Sequence, residues 1–231
     1  MTDLERPEPE KRDVVYTLIK AVIAGVPVIG GAATELISMV ALPLEKRRNQ
    51  WLDDIAKRLK SLEGVVDEFR IEDLSQNETF ITVVMHATQV AIRNHQQEKL
   101  EALRNAVLNA AMPEALEDDR QLMFLNFIDE LTSWHLRVLH FFDDPKIWGS
   151  QHNISYPKWN SGGPDTLLEF TFEELRGQRD FYDQVVRDLH YRGLMNIDSL
   201  HITMTGQGMF ASRTTEMAKG FLAFISSPIP E

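Results

Sequence analysis

Residues 18–51 form the longest nearly uncharged stretch of the chain, and this stretch limits the fold more than any other feature. Lys20 and Glu35 are the only charged residues in it before Glu45 and the basic cluster at 46–48. Pro27 lies among glycines near its middle, and proline disfavours helix at the residue before it. The stretch therefore predicts two apolar helices joined by a tight bend, with the second helix continuing past Pro43.

A membrane span is the alternative interpretation of this stretch. A span needs about 20 mostly apolar residues, and the uncharged segment 21–34 is shorter and contains the bend. Glu35 at mid-bilayer would cost about 3 kcal/mol on insertion scales. Buried core helices are therefore favoured and no constitutive span is predicted, although a hairpin of residues 18–44 that inserts after a conformational change stays open as a third function.

Composition excludes several kinds of site and compartment. The 231 residues contain no cysteine, which rules out disulfides, thiolate metal sites and cysteine nucleophiles and fits a reducing cytosol. The first residues, MTDLERPEPEKRD, lack the basic-then-apolar order of a secretory signal. A cytoplasmic protein is expected.

The charge balance disfavours general binding to nucleic acid. The net charge is −11, and residues 61–118 carry four Lys/Arg against eleven Asp/Glu. Duplex binding depends on neutralising phosphates with Lys and Arg. DNA therefore stays only as an alternative partner, which a local basic surface would bind.

A seam of apolar residues follows the first stretch and predicts a helical bundle over residues 11–115, after a flexible tail at 1–10. A long helix over residues 78–111, capped by Asn77, is expected to complete the bundle. The seam spacing is that of helix packing, and it also offers an interface for a homodimer. The seam residues are Leu52, Ile55, Leu59, Leu62, Val66 and Phe69.

No motif for catalysis, a cofactor or a metal is present. The GVPVIGG turn lacks the lysine-serine ending of a phosphate-binding loop, and no GxSxG or HExxH occurs. His95 and Glu98 stand three apart, but a carboxylate-bridged metal pair needs two such motifs. A non-enzymatic protein without cofactor or metal is expected.

Residues 145–170 predict the longest irregular region, inserted into the C-terminal half. Trp148, Tyr156 and Trp159 stand among turn-forming residues there. Long loops are usually functional or disordered, and the three aromatic residues favour order. Two interpretations remain open, namely a segment that plugs a groove between the halves and a partner-binding loop.

The last sixty residues give the clearest local pattern. TFEE at 171–174 has the form of a capping box and predicts helices over 172–177 and 180–191. Residues 194–213 alternate around Gly206-Gln207-Gly208, which predicts a β-hairpin, and a final amphipathic helix follows.

This order, with a helix over 132–143 before it, resembles a winged helix-turn-helix domain. VVRDLHYRGLMN and TTEMAKGFLAFI carry the resemblance, which covers about the last hundred residues. It implies that helix 180–191 is the recognition helix. Because Asp180, Asp183 and Asp188 alternate with its basic residues, protein contacts are favoured over DNA. The implied contact residues are Arg179, Gln184, Arg187, His190 and Arg192.

The sequence thus predicts a mainly α protein: an N-terminal helical bundle and a C-terminal winged-helix-like unit over 116–231 with a small β-hairpin. The whole pattern also resembles bacterial helical proteins without an assigned activity, which implies a bacterial setting. The expected function is regulation or scaffolding through protein–protein contacts, including a homodimer through the 52–69 seam or through the winged-helix-like end. The alternatives are a sequence-specific DNA-binding regulator and a membrane-acting effector that exposes residues 18–44.

Overall fold

The structure is a computed structural model that describes residues 34–67 and 69–229. The first described helix, α1, spans Thr34–Glu63 and contains Pro43, as the sequence predicts. The other half of the apolar hairpin, residues 18–33, lies outside the described residues. None of the described helices is both long and apolar enough to cross a bilayer.

The seam on α1 is the core of a helical bundle. Ile55 and Leu62 are completely buried, and α1 packs on helices α2 (Glu78–Arg93) and α3 (Gln97–Ala110). The bundle is therefore confirmed over these helices. All seam residues except Val66 are buried within one copy, so the seam leaves little surface for the homodimer interface expected there.

The single helix predicted for residues 78–111 is wrong, since the chain breaks at residues 94–96. Asn94 is extended, and its side-chain amide donates to the Val90 carbonyl at 2.8 Å, which ends α2. The predicted cap at Asn77 is confirmed, with its side chain accepting from the Phe80 amide at 2.9 Å. The break lets α2 and α3 pack against each other as well as on α1.

The described contacts divide the chain into two compact units. One contains residues up to 129 together with 225–229, and the other contains residues 130–224. Helix α4 (Asp118–Glu130) ends at the division. The second unit contains the helices α5 (Ser133–Asp143), α6 (Pro145–Gln151), α7 (Pro164–Thr171), α8 (Arg179–Tyr191) and α9 (Gly206–Met209), and most of α10 (Glu216–Ile225). The described chain is thus mainly α, as expected.

Residues 145–170 are not the irregular loop that the sequence predicts. Asp144 accepts from the amides of Lys146 and Ile147 and so begins α6, with Pro145 at the first helical position. Thr171 ends α7 and donates to the Leu167 carbonyl instead of capping a new helix. A 3₁₀ turn over Glu173–Leu175 replaces the short helix predicted for 172–177.

The predicted hairpin at 194–213 is wrong in its pairing. Strand β2 (Met204–Thr205) pairs antiparallel with β1 (Ser161–Gly162), and the glycine turn begins α9. The Gly206 amide donates to the Asn160 carbonyl at 2.9 Å, and a Cβ at this position would clash with the Trp159 carbonyl oxygen. The segment is therefore held by residues 159–162, while a single β-bridge joins Met195 to Thr214.

Candidate functional site

Helix α8 presents a continuous outward stripe on the second unit. Its inner side buries Tyr182, Val185, Val186 and Leu189. Its outer side exposes residues 180, 184, 187 and 191, which are three or four apart and so lie in one line along the helix. Tyr191 is 89% exposed, and Phe181 beside the line is 42% exposed.

The basic residues of α8 already have partners within their own unit. Arg179 lies 3.5 Å from Asp183, and Arg187 donates to the Gln184 side chain at 3.0 Å. Gln184 in turn donates to Asp188 at 2.7 Å. The structure thus places on one helix the contact residues that the winged-helix resemblance implies. Acidic side chains of the same helix largely balance their charge.

The two remaining contact candidates near the end of α8 are also engaged. Arg192 donates to Glu130 at 2.7 Å, and His190 lies 3.0 Å from the Met195 carbonyl oxygen. A phosphate would have to compete with these contacts for the same N–H groups. This arrangement weakens the electrostatic case for a duplex.

Trp134 extends the α8 face sideways. Its ring meets the edge of Phe181 at a centroid distance of 6.4 Å, and the Arg137 guanidinium lies 4.0 Å from the Trp134 centroid. A carboxylate oxygen of Glu174 lies 3.3 Å from the Arg137 guanidinium. The pKa of Glu174 is lowered by a backbone hydrogen bond and by Arg137. The exposed Phe181 therefore stands on an ordered support.

The aromatic residues predicted as a partner-binding loop are half-buried and pack within the second unit. Trp148 stacks on His152 at 4.1 Å and meets the edge of Phe141. Tyr156 and Trp159 form a separate cluster with Phe170 and Phe210. Their packing leaves less of their surface for a partner than the α8 face offers.

A histidine between two aspartates forms a second cluster, which the sequence analysis missed. The Nδ1 atom of His201 lies 2.9 Å from an Asp165 oxygen, and its Nε2 atom lies 2.7 Å from an Asp183 oxygen. Asp165 is in the first turn of α7 and Asp183 is on α8. His201 thus fastens an irregular segment to two helices.

The two carboxylates lie on opposite sides of the His201 ring, one at each ring nitrogen. Ionised carboxylates only accept hydrogen bonds, so both contacts are hydrogen bonds only when both ring nitrogens of His201 carry protons. An imidazole bonded in this way has no lone pair with which to activate a nucleophile. The His201 cluster is therefore a clamp.

Tyr182 adds a buried phenol next to the clamp. Its hydroxyl donates to Glu169 at 3.0 Å, and its ring centroid lies 6.0 Å from that of His201. Burial raises the pKa of Tyr182, and the Glu169 carboxylate raises it further. The phenol therefore stays protonated and donates to Glu169 at neutral pH.

Among the residues that the structure describes, no group of three or more His, Asp and Glu side chains could hold a metal ion.

No protein-family model, curated protein or solved structure matches this chain. Its function has to follow from the α8 face and the His201 clamp.

Two partly buried histidines predict how stability depends on pH. Burial lowers the pKa of His140 from 6.5, with Asp143 opposing this in part. The unfolded chain thus takes up a proton at higher pH than the folded unit does. Stability should be fully present above pH 6.5 and fall as the pH is lowered below it.

We expect that the stability of the second unit no longer falls at acid pH in His140→Gln. This holds whether or not the substitution lowers the free energy of unfolding at pH 8. Urea unfolding at pH 8 and pH 5.5, followed by the fluorescence of the three tryptophans of that unit, measures it. His86 in the first unit has its pKa lowered by burial in the same way. His86→Gln should therefore flatten only the pH dependence of the Trp51 signal, and equal effects of both variants on both units would contradict the assignment.

Proposed function

We propose that this chain is a non-enzymatic regulatory or scaffolding protein that acts through protein–protein contacts, with the outward face of α8 as its docking surface. The observation that carries the proposal is that α8 exposes Phe181 and Tyr191, while Arg179 is paired with Asp183 and Arg187 is bonded to Gln184. Aromatic residues and arginine are enriched at protein interfaces, and they supply most hot spots.

A winged-helix arrangement of the second unit is part of this proposal. Three features support it: α5 and α8 lie at the first and third helices expected from the sequence, the bridge between Met195 and Thr214 closes a long excursion, and α10 follows. The second expected helix, at 172–177, is only a 3₁₀ turn. In this arrangement α8 occupies the position of the recognition helix. In that position, α8 would present its exposed face to a protein partner and not to DNA.

Charge supports a protein partner over a duplex. Residues 130–224 carry nine Lys/Arg against twelve Asp/Glu. A duplex partner requires that several phosphates be neutralised, and Arg179 and Arg192 would have to leave Asp183 and Glu130 to reach a phosphate. The DNA-binding alternative draws its support only from the exposed Gln184 and Arg187, and the membrane alternative rests on a segment that lies mostly outside the described residues.

Site-directed photo-crosslinking tests the docking surface. A benzophenone amino acid in place of Tyr191 should crosslink to protein in cells that express the chain, because position 191 is 89% exposed at the end of the stripe. The matched control carries the same group at Ile147, which is 56% exposed on α6.

Crosslinks at position 191 that are absent at position 147 are the expected result. Crosslinks to nucleic acid at position 191 would instead support the DNA-binding alternative. Equal crosslinking at both positions, or none at position 191, would contradict docking through α8.

A further inference from the structure

The spacing of the exposed residues on α8 is the same when it is read in either direction. Asp180, Gln184, Arg187 and Tyr191 are separated by four, three and four positions. A two-fold axis places one surface patch against its own copy, so that each contact occurs twice. A stripe with symmetric spacing can therefore meet an antiparallel copy of itself along its whole length.

The chemistry along the stripe fits this pairing. With an axis between residues 185 and 186, Asp180 faces Tyr191 of the second copy, and Gln184 faces Arg187 of the second copy. A phenol hydroxyl can donate to a carboxylate, and a guanidinium can donate to an amide oxygen. Within one copy Arg187 already donates to Gln184 at 3.0 Å, so the pairing exchanges this contact for the same contact between copies. Each polar group in the line thus meets a complementary group.

The apolar residue beside the line follows the same symmetry. Phe181 faces His190 of the second copy, and both side chains are exposed on α8. Trp134 already supports Phe181 from behind at a centroid distance of 6.4 Å. The aromatic anchor would therefore be ordered before the copies meet, which reduces the entropy that association costs.

We infer that the partner of the α8 face is a second copy of this chain, bound through an antiparallel, two-fold α8–α8 contact. This inference rests on the proposed function and adds the identity of the partner. The stripe is about 16 Å long at 1.5 Å per residue, which is short for an interface. A weak, concentration-dependent dimer is expected, since small interfaces belong to transient complexes.

Sedimentation equilibrium over low to high micromolar concentrations tests the inference. The wild-type chain should change from monomer to dimer across this range. Gln184→Arg should weaken the dimer at least about tenfold, because it opposes Arg187 at two symmetric places and each close like-charge pair costs association energy. Gln151→Arg on exposed α6 adds the same charge and should leave the dimer unchanged.

A double variant, measured by the same sedimentation experiment, decides the test. Adding Arg187→Glu to Gln184→Arg places an arginine opposite a glutamate at both symmetric positions and restores attraction across the axis, so it should recover most of the lost affinity. Circular dichroism of each variant checks that α8 remains helical.

A chain that stays monomeric at all concentrations, or a double variant no tighter than the single one, would overturn the self-pairing. If the chain is monomeric while position 191 still crosslinks to other proteins, docking through α8 stands and its partner is a different protein. If the chain stays monomeric and position 191 gives no crosslinks, the α8 face is not a docking surface.

Discussion

Replacing Phe141 with alanine is expected to lower the free energy of unfolding of the second unit by about 3–5 kcal/mol, the range found for buried phenylalanine. The Phe141 side chain is completely buried. Its ring lies 4.8 Å from that of Phe142 and 5.4 Å from that of Phe172, and Trp148 is a third neighbour at 6.2 Å. Truncation therefore leaves a cavity with aromatic walls that have few ways to collapse.

Urea unfolding followed by tryptophan fluorescence measures this loss. Phe181→Ala is the matched control, because the same atoms are removed from a ring that is 42% exposed. It should cost about 1 kcal/mol, in keeping with the smaller apolar area that it returns to water. Equal losses for the two variants would show that Phe141 is not at the centre of the packing.

Replacing His201 with alanine should produce the second large loss, about 2–3 kcal/mol. When both ring nitrogens of His201 carry protons, two charge-assisted hydrogen bonds disappear, each worth about 1.5–3 kcal/mol, and the partial exposure of the cluster reduces the total. Asp165 and Asp183 also lose the imidazole between them, although Arg179 stays 3.5 Å from Asp183. The segment that carries His201 would be released from α7 and α8.

Two further variants separate the clamp from simple packing. His201→Gln can donate to only one of the two carboxylates, so its loss should be intermediate. Adding Asp183→Asn to His201→Ala removes the repulsion between the carboxylates and should recover part of the stability. No recovery in the double variant would show that charge plays no part in the clamp. Hydrogen exchange at residues 196–203 should rise in His201→Ala and stay low in the wild-type chain.

Local pattern was sufficient where one periodicity or one side chain decides the structure. The α1 seam was predicted from its spacing of three and four, and its buried members lie in the core. The cap at Asn77 was predicted from residue type alone. The span predicted for α8, residues 180–191, differs from the observed helix by a single residue.

Local pattern was insufficient where a distant partner decides. Residues 96–100 are good helix formers and Asn94 and His95 are only moderately poor ones, so intrinsic propensity alone does not predict the break that lets α2 and α3 pack separately on α1. Residues 194–213 alternate as a hairpin does, yet β2 pairs with a strand more than forty positions earlier. In each case packing within the unit overrides the local preference.

The His201 clamp could not be predicted for the same reason. Asp183 is 18 positions from His201 and Asp165 is 36 positions away, so no short motif relates them. The only local signal is the order of Pro164 and Asp165, which is typical of a helix start with an acidic first turn. That signal predicts the position of α7 but not the histidine that binds there.

Gly206 has a consequence for how this chain can change over evolutionary time. The position holds a single hydrogen against the backbone oxygen of Trp159, and that oxygen has no rotamer with which to move aside. Any descendant that keeps the contact between residues 160 and 206 must therefore keep glycine there. The neighbouring Gly208 faces mainly side chains and is freer to be replaced. Two glycines one residue apart should thus accumulate substitutions at very different rates.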